Sequence, residues 1–93
     1  MEAAPVLRID KWLFHARFCR SRALAAALVG GGHVRLNGRR IDKPAAAVRV
    51  GDVLTLRIGG RVRLLRVLDL GCRRGPASEA RLLYLELDGS DGA

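Results

Sequence analysis

The apolar pattern of this chain changes period at three consecutive glycines, and that change constrains the fold more than any other feature. Before Gly30 the apolar residues recur at helical spacing, whereas from His33 to Asn37 apolar and polar residues strictly alternate. Glycine ends helices readily because it tolerates the left-handed backbone that follows a last turn. Asn37-Gly38 is a strong hairpin signal. The pattern therefore predicts helical structure followed directly by an antiparallel sheet.

Two short helices are predicted before the glycines. The first has apolar residues at i, i+3, i+4 and i+7, namely Ile9, Trp12, Leu13 and Ala16. Lys11 and His15 lie on a different face of this helix and are expected to point to solvent or a ligand. Ser21 is a good N-cap for a second helix that continues through Val29. The buried face of the second helix is predicted to use Leu24, Ala27 and Leu28.

The second half of the chain is predicted to complete the sheet. Strands are expected at residues 53–58 and 61–70, with Val62 and Leu64 on one face of the latter and Arg61 and Arg63 on the other. One helical turn near residues 78–81 and a strand over 82–87 follow. The fold class is α+β, with two N-terminal helices packed on a small, mainly antiparallel sheet. We expect a lead-in over residues 1–7, one domain over 8–87 and a frayed end over 88–93.

The cationic residues are concentrated in the first half of the chain. Residues 8–43 hold nine Lys or Arg and two Asp, so they carry +7 of the net charge of +8. Charge that served solubility alone would not concentrate in one segment. Guanidinium groups donate two parallel hydrogen bonds that fit phosphate oxygens. This distribution favours a nucleic-acid partner that is bound by residues 8–43.

The spacing of the acidic residues, histidines and cysteines does not indicate a catalytic, metal or cofactor site. The acidic residues are scattered, and neither histidine has a partner at motif spacing. Cys19 and Cys72 form neither a CxxC pair nor a metal-ligand cluster, so both are expected to be reduced and buried. No signal peptide or membrane span is recognisable at the sequence level. We therefore predict a cytoplasmic, non-enzymatic protein without a cofactor.

The aromatic residues add little to this prediction. Trp12 belongs to the apolar stripe of the first helix and is expected in the core. Phe14 lies outside that stripe, which leaves it open to stacking on a nucleobase.

Several motifs in fixed order resemble the S4 RNA-binding domain family. They are Arg8 to Leu13 (RIDKWL), Ser21 to Ala25 (SRALA), Gly32 to Gly38 (GHVRLNG), Lys43-Pro44 and Val50 to Asp52 (VGD). The resemblance covers about half of the chain and implies the S4, or αL-motif, fold. It also implies binding of structured RNA through the two helices and the strand that follows. Carried over by position, the RNA-facing residues are Arg8, Lys11, Arg17, Arg20, Ser21, Arg22, His33, Arg35, Asn37 and Lys43.

A finer resemblance covers residues 11–18 and 73–84, and points to free-standing, ribosome-associated heat shock members of the family. It implies binding of ribosomal RNA on the large ribosomal subunit that carries a stalled nascent chain, with tRNA as a further partner. The role implied is ribosome rescue or recycling, by a protein expected to be a monomer. Two alternatives stay open. One is a DNA-binding helix-turn-helix protein that uses residues 9–29, and the other is an RNA-guiding accessory module of an RNA-modifying enzyme.

Overall fold

The computed structural model describes residues 4–87, and within them three helices pack against a mainly antiparallel sheet. The helices are α1 (Ile9–His15), α2 (Arg22–Gly30) and α3 (Ala77–Ala80), the last continued by a 3-10 turn over Arg81–Leu83. The strands are β1 (Leu7–Arg8), β2 (Val34–Leu36), β3 (Arg39–Ile41), β4 (Ala47–Val48), β5 (Val53–Ile58), β6 (Arg61–Val67) and β7 (Tyr84–Leu87). The predicted α+β class, with two N-terminal helices on a small sheet, is confirmed.

The main sheet has five antiparallel strands in the order β3-β2-β5-β6-β7. The β2–β3 hairpin turns at Asn37 and Gly38, which both have positive φ (51° and 85°), as a type I′ turn requires. A separate two-stranded ladder joins β1 to β4 and pairs Leu7 with Val48. Leu7 is the last residue of the predicted lead-in, whereas residues 88–93 of the predicted frayed end lie outside the described part of the chain.

One hydrophobic core lies between α1, α2 and one face of the sheet. Trp12 is fully buried and its Nε1 donates a hydrogen bond of 2.9 Å to the Asp69 carbonyl oxygen. Val34, Leu54 and Leu56 face the helices from β2 and β5. Because side chains alternate along a strand, the residues between them face away from the helices. One face of the sheet is therefore apolar and buried against the helices, and the other face points away from them.

The predicted phase of α2 was wrong. Its fully buried residues are Ala25 and Val29, while Leu24 is 50% exposed and Ala27 is exposed as well. Leu28 is half-buried against the core, as predicted. Apolar residues surround this helix on all sides, so their spacing alone does not select the buried face. The Ser21 N-cap is confirmed, because its Oγ accepts a hydrogen bond of 3.0 Å from the Leu24 N–H.

The alternation in β6 puts Val62 and Leu64 on the face that points away from the core. Leu65 and Val67 are its buried residues, and Val62 is exposed. Arg63 shares the core-facing side, at the end where the strand leaves the core. Its guanidinium lies over the Phe18 ring and pairs with Glu86, and that hydrogen bond raises the pKa of Arg63. Arg63 therefore contributes to the structure through Phe18 and Glu86 and is not an unpaired surface charge.

Two further expectations were wrong. His15 is buried rather than directed to solvent or a ligand, and its Nδ1 lies 3.3 Å from the Leu70 carbonyl oxygen. Cys72 is exposed rather than buried. Cys19 is half-buried, and that burial raises the pKa of its thiol. Both cysteines are free thiols, as expected.

Candidate nucleic-acid interface

The start of α1 and the start of α2 carry two arginines that share one buried carboxylate. Asp10 is 3% exposed, and its Oδ2 lies 3.0 Å from Arg8 Nη2 and 3.7 Å from Arg22 Nη2. Both guanidinium groups remain about half exposed. A single acid therefore holds two cations in place while leaving a net positive charge at the surface. The positioning role of Asp10 depends on a fold that brings Arg22 close, because the two residues belong to different helices.

The junction between α1 and α2 is fixed by Arg17. Its backbone is left-handed (φ 65°), a conformation that costs a non-glycine residue about 1 kcal/mol. Its Nη1 donates a hydrogen bond of 2.8 Å to the Gly75 carbonyl oxygen, which ties the junction to the loop before α3. Arg20, in the same junction, is exposed and has no ion pair within residues 4–87.

The loop before α3 adds a cation that the predicted site did not contain. The Arg74 guanidinium lies 5.2 Å from the centre of the Phe14 ring. Phe14 therefore has one face covered by Arg74, which leaves less of the ring for the base stacking considered from the sequence. The signal for Arg74 was the Arg73-Arg74 pair, but its position beside α1 depends on a contact between residues 60 apart in sequence.

Two more predicted residues lie at the same end of the molecule. Lys11 is half-buried on α1, and Lys43 is exposed just before the segment that runs along the start of α1. The Asp10 N–H donates to the Pro44 carbonyl oxygen at 3.2 Å, which brings this segment next to the helix. The helix surface, as we call it below, consists of Arg8, Lys11, Arg17, Arg20, Arg22, Lys43 and Arg74.

His33 and Arg35 lie elsewhere. They occupy the face of β2 that points away from the helices, where they line a groove together with Arg40 and Arg57. The predicted set is thus divided between the helix surface and this sheet groove, which we define as His33, Arg35, Arg40 and Arg57. Sequence reasoning missed both Arg40 and Arg57. Arg57 alternates with the buried residues of β5 and could have been assigned to the outer face.

Ser21 and Asn37 have clear structural contacts. Ser21 caps α2. Asn37 donates from Nδ2 to Asp52 Oδ1 at 3.1 Å and accepts at Oδ1 from the Val53 N–H at 2.9 Å. These bonds hold the β2–β3 hairpin against the start of β5. RNA contact by either side chain remains a prediction.

The described residues set limits on other chemistry. Within residues 4–87, no group of three His, Cys, Asp or Glu side chains is arranged to hold a metal ion. None of the helices there is both long enough and apolar enough to span a bilayer.

Comparison with known proteins identifies the family. The S4 domain model matches residues 7–54, which are half of the chain and include α1, α2 and the β2–β3 hairpin. The chain belongs to the S4 domain family. The recognition made from the sequence motifs is thereby confirmed, and membership supports RNA binding as the role of this domain.

Within this family, the chain is similar to proteins named heat shock protein 15. Heat shock protein 15 of Escherichia coli is 48% identical over 86% of this chain, and the homologue from Haemophilus influenzae is 39% identical over 90%. The chain spans only 59% and 63% of these two relatives. The trimeric structure of Vibrio cholerae heat shock protein 15 matches with a TM-score of 0.86 and 40% identity, over 92% of this chain and 86% of that one.

Proposed function

We propose that this protein binds ribosomal RNA without catalysing a reaction, and that it acts on the large ribosomal subunit in ribosome rescue or recycling of stalled nascent-chain complexes. The observation that carries this proposal is the helix surface. There, Arg8 and Arg22 are held by one buried carboxylate in an S4 fold similar to that of heat shock protein 15. A cytoplasmic location and tRNA as a further contact belong to the same proposal.

The geometry supports phosphate recognition by arginine. Preorganised guanidinium groups lose less freedom when they bind, so more of the contact energy appears as affinity. The exposed Arg20 and half-exposed Arg22 flank the N-terminus of α2. If about six phosphates are contacted, affinity for irregular RNA falls with a log-log salt slope of about −4.

The helix-turn-helix alternative receives less support. A recognition helix reads base edges with polar side chains. Beyond Arg22, α2 consists of Ala, Leu, Val and a terminal Gly, and Leu24 is its large exposed side chain. This helix therefore offers few donors or acceptors for base readout.

A binding comparison tests the RNA claim. We expect tighter binding to a ribosomal RNA fragment than to a duplex DNA of equal charge, measured by filter binding at matched salt. Equal or tighter binding to random duplex DNA would favour the helix-turn-helix alternative. Variants that test this binding need a control in which an arginine outside the interface is replaced. Arg81 is suitable, because it is exposed and has no ion pair within the described residues, whereas Arg63 pairs with Glu86.

Sedimentation tests the ribosomal claim. The tagged protein, mixed with separated subunits, should migrate with the large subunit, and more of it should bind when the subunit carries a nascent chain with its tRNA. Migration with the small subunit alone would contradict the proposal. Light scattering of the free protein tests the predicted monomer, since the solved structure of the Vibrio relative is trimeric.

A further inference from the structure

A groove of about 500 Å³ lies on the side of the sheet that faces away from α1 and α2. Its lining includes the arginines Arg35, Arg40 and Arg57, together with His33 and Thr55. His33 directly precedes β2, and the other side chains come from β2, β3 and β5. The S4 domain match ends at residue 54, so Thr55 and Arg57 lie beyond it.

The strand register explains why these side chains converge. Arg35 pairs with Arg40 on one neighbour and with Thr55 on the other. Directly paired residues of antiparallel strands project from the same face. Arg57 is two residues after Thr55 and therefore shares that face. Its N–H donates to the His33 carbonyl oxygen at 2.9 Å, which fixes the end of the groove.

The groove has no acidic residue in its lining. Within residues 4–87, Arg35, Arg40 and Arg57 take part in no ion pair, in contrast to Arg8, Arg22, Arg63 and Arg73. Like charges that converge without a counter-ion repel one another, and a bound anion relieves that repulsion and lowers the electrostatic free energy. Three unpaired guanidinium groups on one concave surface therefore favour an anionic ligand.

Gly32 shapes one wall of the groove. It has a positive φ of 80°, and a Cβ at this position would overlap the Arg40 guanidinium, with Nε only 2.7 Å away. Arg40 thus lies flat against the backbone at the end of α2. The Gly32 N–H is already bonded to the Val29 carbonyl oxygen, so a ligand would meet side-chain donors here and not a backbone nest.

We propose that the sheet groove is a second RNA subsite that binds backbone phosphate, on a stretch of RNA separate from the one at the helix surface. This inference rests on the proposed function. Arg40 and Arg57 supply guanidinium donors to phosphate oxygens, and Thr55 supplies a hydroxyl donor. Arg35 and His33 belong to this subsite and not to the helix surface.

The test compares three double variants of the full chain with the wild type. Arg40→Gln/Arg57→Gln removes two charges from the groove, and Arg20→Gln/Arg22→Gln removes two from the helix surface. Arg66→Gln/Arg81→Gln removes two exposed charges from neither and serves as the control. Each is titrated with one ribosomal RNA fragment by fluorescence anisotropy over a range of salt. Thermal unfolding of each variant reports on folding.

The groove variant should bind about tenfold more weakly than the control, with a salt slope smaller by about 1 to 2. In a further variant that combines all four groove and helix-surface substitutions, the two effects should add, because separate sites contribute independently. As a second measurement, the Thr55 and Val62 amide signals of the wild type should shift in NMR spectra when the RNA is added. This NMR measurement uses the wild type and therefore tests the groove even if the groove variant is unstable.

Distinct outcomes overturn distinct claims. If the wild type binds the RNA and only the helix-surface variant is weakened, the groove proposal fails while the proposed function stands. Lower stability of the groove variant with unchanged affinity and unshifted amides would assign Arg40 and Arg57 to structure alone. If the wild type does not bind the RNA, the proposed function fails and the groove proposal falls with it.

Discussion

The helix surface and the sheet groove carry similar cationic side chains that are held in different ways. At the helix surface, Asp10 holds Arg8 and Arg22, and the Gly75 carbonyl holds Arg17. In the groove, only the strand register brings Arg35 and Arg57 together. The first arrangement gives up net charge for fixed geometry. The second keeps its full charge, because Arg35, Arg40 and Arg57 form no ion pair within residues 4–87. Fixed geometry favours specificity, and unpaired charge favours attraction.

The largest effect should come from the core that supports both surfaces. Trp12→Ala removes a fully buried ring and its hydrogen bond to Asp69. We expect a loss of about 3–5 kcal/mol in the free energy of unfolding, measured with urea, and loss of RNA binding at both surfaces. The control Leu82→Ala changes a side chain that is 70% exposed and should alter stability by less than about 0.5 kcal/mol. A stable Trp12→Ala variant would contradict the described packing.

Gly32→Ala should affect the groove alone. The positive φ predicts a loss of about 1–2 kcal/mol in the free energy of unfolding, and the overlap with the flexible end of Arg40 predicts weaker RNA binding as Arg40 is displaced. Gly30→Ala is a matched control, because its Cβ would meet no atom within 4 Å and alanine favours the helix. Equal unfolding midpoints for the two variants would show that Gly32 does not support the groove.

Ser21 separates a structural role from RNA contact at the helix surface. Ser21→Ala removes the N-cap of α2 and should cost about 1 kcal/mol, while Ser21→Asn retains a cap and should recover most of it. Thermal unfolding provides the measurement. If RNA affinity recovers with stability in Ser21→Asn, the serine acts as a cap. If stability recovers and affinity does not, the hydroxyl contacts RNA.

The smallest effect should come from the acid that holds the helix surface. Asp10→Asn removes the charge shared by Arg8 and Arg22, which are half exposed, so we expect a loss of only about 0.5–1 kcal/mol. The difference from wild type should shrink when unfolding is repeated in 1 M salt. A difference that does not change with salt would mean that Asp10 acts as a hydrogen-bond acceptor and not through its charge.

Local patterns sufficed for the parts of the fold that depend on neighbours in sequence. The β2–β3 hairpin, the α2 cap and the alternation in β2 all follow from residues within a few positions of one another. The phase of α2 could not be derived, because Ala, Leu and Val surround that helix and only contact with the sheet selects Ala25 and Val29. In β6, apolar residues occur at both parities, so the sequence left open which face of that strand meets the core.

The candidate site shows the same distinction between features set by neighbours in sequence and features set by tertiary contacts. Clustering of charge identified most of the cationic residues but placed them on one surface, because charge counts carry no information about which side of a sheet a residue faces. Arg74 beside Phe14 and His15 beside Leu70 are brought together from positions 55 to 60 residues apart. Such contacts form only in the complete fold and have no local signal.

The most direct test of the central claim is the affinity of Arg20→Gln/Arg22→Gln for a ribosomal RNA fragment, relative to that of Arg66→Gln/Arg81→Gln at the same salt. All four arginines are exposed, so both variants lose the same charge from the surface. We predict that the helix-surface variant binds about thirtyfold more weakly than the control, while its unfolding temperature falls only slightly with loss of the Arg22–Asp10 pair. Equal affinities of the two variants would contradict RNA recognition by the helix surface.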